Sequence, residues 1–184
     1  MKKIHLSLFA TFLAVTILSS CKSDDGHSHG NDQELITTVR LTYTNTSNVS
    51  EKVVANYKDL DGAGGAAPVI DNLRLKPNTT YSVMTEVLNE SKSPLQNLTP
   101  EILTEGAEHQ FFYTVAPASL LRVTYTDKDS KNLPIGLTTS QVTSAAGTGT
   151  LRVTLKHQPN TKSATSTINT GETDVEVTFP LVVQ

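Results

Sequence analysis

Thr38-Val39-Arg40-Leu41-Thr42-Tyr43-Thr44 alternates polar and apolar side chains at every step. Successive side chains of a strand point to opposite faces, so this run puts Val39, Leu41 and Tyr43 on one face and threonines with an arginine on the other. The same period of two recurs in Leu121-Arg122-Val123-Thr124-Tyr125-Thr126, in Leu151-Arg152-Val153-Thr154-Leu155-Lys156 and in Val175-Glu176-Val177-Thr178-Phe179. One apolar face and one Thr-rich or charged face is the pattern of antiparallel strands that cover a core on one side. Segments 52–58, 80–88 and 109–116, rich in Val, Tyr, Phe and Thr, read as further strands. Thr supplies 25 of the 164 residues from Cys21 onward, and β-branched residues at that density disfavour helices.

One short helix is expected over Pro100–Glu105. Thr99 would cap it, Pro100 suits its first position, Glu101 meets the positive end of its dipole and Gly106 stops it. Turn-forming residues mark loops at 62–68, 72–79, 130–136, 145–149 and 158–171. Seven or more strands with turns between them, and no alternating helices, predict an all-β fold: an antiparallel β-sandwich, immunoglobulin-like or related. No composition break divides residues 34–184, which are expected to form one sandwich; two packed half-size sandwiches are the alternative.

The 184 residues carry a net charge of −3 and a single cysteine. That excludes an internal disulfide framework, a Cys-rich metal module and the basic footprint of a nucleic-acid binder. No Gly-x-Ser-x-Gly elbow, P-loop, His-Glu-x-x-His or dinucleotide fingerprint is present, and a non-enzymatic protein is expected.

Met1-Lys2-Lys3 is a cationic start, and the apolar stretch Leu6–Leu18 that follows is 13 residues long. That is too short to span a bilayer, which needs about 20 residues, but suits a signal-peptide core. It ends in Leu18-Ser19-Ser20-Cys21, which resembles a bacterial lipobox. The resemblance implies cleavage after Ser20, lipidation of Cys21 and anchoring of the mature chain in the bilayer. Lys22-Ser23-Asp24-Asp25 resembles the stretch that surface-exported lipoproteins of Bacteroidota-type bacteria carry after the cysteine. It implies the outer membrane, where either the cell surface or the periplasmic face fits. Residues 21–33, with His27-Ser28-His29, read as a flexible tether.

Candidate chemistry lies where the apolar runs stop. By parity Asp59, His109, Asp127 and His157 continue the core-facing side of their strands and should line one rim of the sandwich. Asp59-x-Asp61-Gly62 and Asp127-x-Asp129 space carboxylates as a hard-cation loop does, although neither has a bidentate Glu at the twelfth position. The other reading is that these aspartates hold turn amides. His109 and His157, with Glu108, Glu172 or Asp174, supply donors for a zinc or iron site across strands. Calcium and zinc are thus the cofactors to look for.

From Glu34 onward the chain resembles small flavobacterial lipoproteins. The resemblance rests on 57–65 (Tyr-Lys-Asp-Leu-Asp-Gly-Ala-Gly-Gly), Leu88-Asn89-Glu90, Glu108–Phe112, Leu155–Asn160 and Gly171–Val177. Such proteins often carry the label of a type 1 periplasmic-binding-fold superfamily. That fold needs two α/β lobes of repeated strand–helix units, which this chain lacks the length and helices to build. Tether and rim together lead to the expectation of a binding module for a metal ion, metal complex or small nutrient, assisting an outer-membrane transporter. The alternative is a structural or adhesive surface protein with no small ligand.

Overall fold

The computed structural model describes residues 35–62 and 64–184. Its strands are β1 (Thr38–Asn45), β2 (Lys52–Lys58), β3 (Val69–Ile70), β4 (Leu73–Leu75), β5 (Thr80–Asn89), β6 (Gln96–Asn97), β7 (His109–Ala116), β8 (Leu121–Tyr125), β9 (Thr138–Thr143), β10 (Gly147–His157) and β11 (Glu172–Val183). Among the described residues there is a single helix, α1 (Thr99–Thr104), between β6 and β7. One sheet runs β3-β2-β1-β5-β9-β8, with β6 also paired to β5, and the other runs β4-β11-β10-β7. The chain is an all-β, sandwich-like fold, as the period-two runs predict.

The alternation works as expected. Val39, Leu41 and Tyr43 of β1, Tyr81 and Val83 of β5, Leu151, Val153 and Leu155 of β10 and Phe179 of β11 are all buried. They belong to one core cluster that draws on both sheets. Each large apolar side chain sealed there contributes about 1.5–3 kcal/mol. Tyr43 and Tyr81 meet edge to face, with ring centroids 5.7 Å apart, a favoured aromatic geometry. Val123 and Tyr125 are only half-buried, because β8 is an edge strand.

Four local expectations need correction. Residues 72–79 contain β4 in place of a continuous loop, and β4 pairs with β11 in parallel through Leu73↔Leu181 and Leu75↔Val183. The second sheet is therefore mixed. A three-residue Leu-Arg-Leu stretch has too little periodicity to declare itself and becomes a strand because the end of β11 is there to pair with it. The loop expected at 145–149 gives way at Gly147 to β10. A side chain on Gly149 would sit 2.2 Å from the Ala116 carbonyl oxygen, so that strand start requires glycine.

Strand β9 is absent from the sequence reading because its inward side is polar. Thr139, Gln141 and Thr143 are all buried. They are tolerated because they are hydrogen-bonded: the Tyr43 hydroxyl donates to Gln141 Oε1 (2.8 Å), Gln141 Nε2 donates to Thr139 Oγ1 (3.0 Å) and Thr143 Oγ1 donates to the Lys76 carbonyl (2.6 Å).

The helix forms one residue early, and Thr99 does not cap it. Leu98 stands at the cap position with no side-chain bond. The Thr99 hydroxyl instead accepts the Val87 amide at 2.9 Å, fastening α1 to β5. Pro100 and Glu101 lie in the first turn as expected, and Ile102 turns inward.

Candidate functional site

Pairing of β7 with β10 places His109 directly opposite His157. Both continue the core-facing side of their strands beyond Phe111 and Leu155, so the parity argument places them correctly. Their rings stack with centroids 4.6 Å apart and planes 10° from parallel. Carboxylates surround the pair. His109 Nε2 is 3.7 Å from Asp174 Oδ2, His109 Nδ1 is 3.8 Å from Glu105 Oε2, and His157 Nε2 is 3.7 Å from Glu108 Oε2. These separations exceed hydrogen-bond length. His109 Nδ1 also lies 3.3 Å from the Glu105 carbonyl oxygen just past α1. Four chain segments thus meet at one strand-end rim.

Burial pushes the His109 imidazole below its ordinary pKa and the neighbouring His157 adds to this, while Asp174 and Glu105 pull the other way. Burial wins because the side chain is only 10% exposed. Of the acidic partners proposed for a zinc or iron site, Asp174 and Glu108 come to the imidazoles, and Glu172 faces His157 in the β10–β11 register. Glu105, expected only as a helix end, joins them. Among the described residues no three His, Cys, Asp or Glu side chains are arranged to hold a metal ion.

The carboxylates read as cation ligands are taken up by their own loops. Asp127 Oδ1 accepts the Gly136 amide (2.7 Å) and Oδ2 the Thr138 amide (2.8 Å). Asp129 Oδ1 accepts the amides of both Lys131 and Leu133, each at 2.8 Å. These bonds are those of turn chemistry, the other reading of Asp127 and Asp129. Asp61 Oδ2 accepts the Ala66 amide (2.8 Å), and that bond holds its carboxyl below the usual range. Asp59 Oδ2 accepts the Tyr57 hydroxyl at 3.3 Å. Cys21 and the tether histidines His27 and His29 lie outside the described residues.

Sequence reasoning missed Lys162. It stands in a stretch of Thr, Ser and Asn read as loop, yet it is the only Lys or Arg from His157 to the C-terminus, and that isolation was the available signal. Its Nζ donates to the carbonyls of Gly106 (2.6 Å) and His109 (2.9 Å) and lies 2.9 Å from Asp129 Oδ2. Lys162 thereby ties the histidine pair to the Asp127–Asp129 loop. The side chains of Lys162 and Asp129 are 0% and 1% exposed. Burial pushes the Lys162 ammonium down from its ordinary pKa, against the pull of Asp129. Burial also pushes the Asp129 carboxyl up, but Lys162 and the two loop amides outweigh it and leave the group below the usual range.

Comparison with family models, with curated proteins and with solved structures finds no match to this chain. What the site does rests on its own geometry.

Proposed function

We propose that the protein is an outer-membrane lipoprotein, anchored through acylated Cys21, whose sandwich is a non-catalytic binding module for a metal ion, metal complex or small nutrient delivered to an outer-membrane transporter. The observation that carries this reading is the stacked His109–His157 pair with Glu105, Glu108 and Asp174 around it. Imidazole and carboxylate are the donors that zinc and similar ions take. Binding would draw on His109, His157, Glu108 and Asp174 and would require their side chains to rearrange, since no three are set for a metal as they stand.

A thermal-shift series of the full chain with Zn²⁺ tests the site. At a hundred times its Kd a ligand adds about 2.7 kcal/mol of stability, so the melt should rise, and His157→Ala should remove the rise. A melt unmoved by Zn²⁺ or Fe²⁺ would sink the metal reading. The anchor has its own test: labelled palmitate should enter the wild-type chain and not the Cys21→Ala variant.

A second reading is a structural or adhesive surface protein, for which the outward face of the larger sheet speaks. Thr42 of β1 has Val54 on one neighbouring strand and Met84 on the other, and both apolar side chains are exposed. Thr44, Ser82 and Ser140 line up in the next row. This face would serve as the contact surface.

A further inference from the structure

We propose that Lys162 and Asp129 join covalently, through an amide between Nζ and Cγ, as a self-formed cross-link of this fold. Two segments distant in sequence meet at this pair, and the meeting is shut off from water, with side-chain exposures of 0% and 1%. Condensation of an amine with a carboxyl group is disfavoured in water and needs such a sealed, low-dielectric setting.

The arrangement around the pair is what the reaction requires. Asp129 Oδ2 is 2.9 Å from Nζ, and among the described residues that oxygen has no partner other than Lys162. The amine therefore lies against the carboxyl group, in contact with the oxygen that would leave. Two of the three ammonium hydrogens are held by the Gly106 and His109 carbonyls. Once the third passes to Asp129, the nitrogen is a neutral amine with a lone pair free to attack. On the far side, Asp129 Oδ1 is gripped by two amides, those of Lys131 and Leu133. Paired amide donors on one oxygen stabilise the negative charge that develops there when the carbon is attacked.

The step balances without any outside reagent. The Lys162 ammonium gives one proton to Oδ2, leaving a neutral amine and a carboxylic acid; burial favours both neutral forms, while Lys162 and the loop amides hold the carboxyl ionised at rest, so the neutral pair is the minor, reacting form. Nζ attacks Cγ, the Nζ–Cγ bond forms and charge collects on Oδ1. The Cγ–Oδ2 bond then breaks, a second hydrogen leaves Nζ with that oxygen, and one water departs. The remaining amide N–H keeps a carbonyl partner, and Oδ1 keeps its two amides as the new carbonyl oxygen. The cross-link would fasten the loop after β8 to the loop after β10, closing over the rim that carries His109.

Peptide mass spectrometry of the full-length protein, digested with trypsin after denaturation, decides the matter. An amide at Lys162 blocks cleavage after it, so the expected product is residues 129–131 joined to residues 157–184, lighter than the two together by one water. Lys162→Arg should abolish that species. Recovery of residues 129–131 and 157–162 only as free peptides from the wild-type protein overturns the proposal. This readout needs no variant, so a Lys162→Arg chain that fails to fold leaves it intact.

Discussion

The imidazoles of His109 and His157 stack 4.6 Å apart across the last register position of β7 and β10. Protonating both would set two like charges face to face. Burial, the first cause, and His157 after it depress the His109 pKa, so the unfolded chain binds this proton more readily than the folded one. The sign follows from linkage: stability is unaffected above the ordinary imidazole pKa of about 6.5 and declines as pH falls from there through the lower folded-state value. The melting temperature should therefore drop between about pH 7 and about pH 5. His109→Gln should flatten that part of the curve, and equal slopes for the two proteins would contradict the assignment.

The Tyr43–Gln141 bond crosses the inner side of the larger sheet at 2.8 Å. Burial holds the Tyr43 hydroxyl well above its ordinary pKa, so it acts as a neutral donor throughout the working range. Tyr43→Phe leaves Gln141 Oε1 buried without that donor and should cost about 1–3 kcal/mol. Urea unfolding measures the loss. Adding Gln141→Met to the same chain should recover much of it, because an apolar pair needs no donor.

Gly136 has φ +91°, and a Cβ there would lie 2.9 Å from the Phe111 Cβ and 3.0 Å from Tyr125 Cε1. Its amide also feeds Asp127, and its carbonyl accepts the Tyr113 hydroxyl. Gly136→Ala combines left-handed backbone strain with a clash against packed rings, and about 1–3 kcal/mol should be lost. A thermal melt of the variant within a degree or so of wild type would mean the turn can relax.

Asp127 offers both oxygens to loop amides. Asp127→Ala should destabilise by about 1–3 kcal/mol by stranding two donors, while millimolar Ca²⁺ should leave the wild-type melt unchanged. A Ca²⁺-dependent rise that Asp127→Ala removes would favour the cation-loop reading.

How far the sequence reaches can be seen at particular residues. The strand runs of β1, β7, β10 and β11 were legible because a half-buried strand must alternate, and Val39, Leu41, Phe111, Leu151 and Phe179 do so in a background of Thr. The same parity placed His109 and His157 at the rim. It could not reveal β9, whose inward Gln141 accepts the hydroxyl of a tyrosine 98 positions away. Nor could it reveal β4, which exists by pairing with the C-terminal strand.

Local alternation, then, determined the fold class and the side of each strand that faces the core, since period two is set by backbone geometry within a few residues. Tertiary structure alone decided partners. It set His109 on His157, turned Asp127 and Asp129 inward onto loop amides, and brought Lys162 from a featureless loop to a sealed contact with Asp129 and two backbone carbonyls. Those meetings depend on which strands are neighbours, and the order of strands in the two sheets is a property of the whole chain.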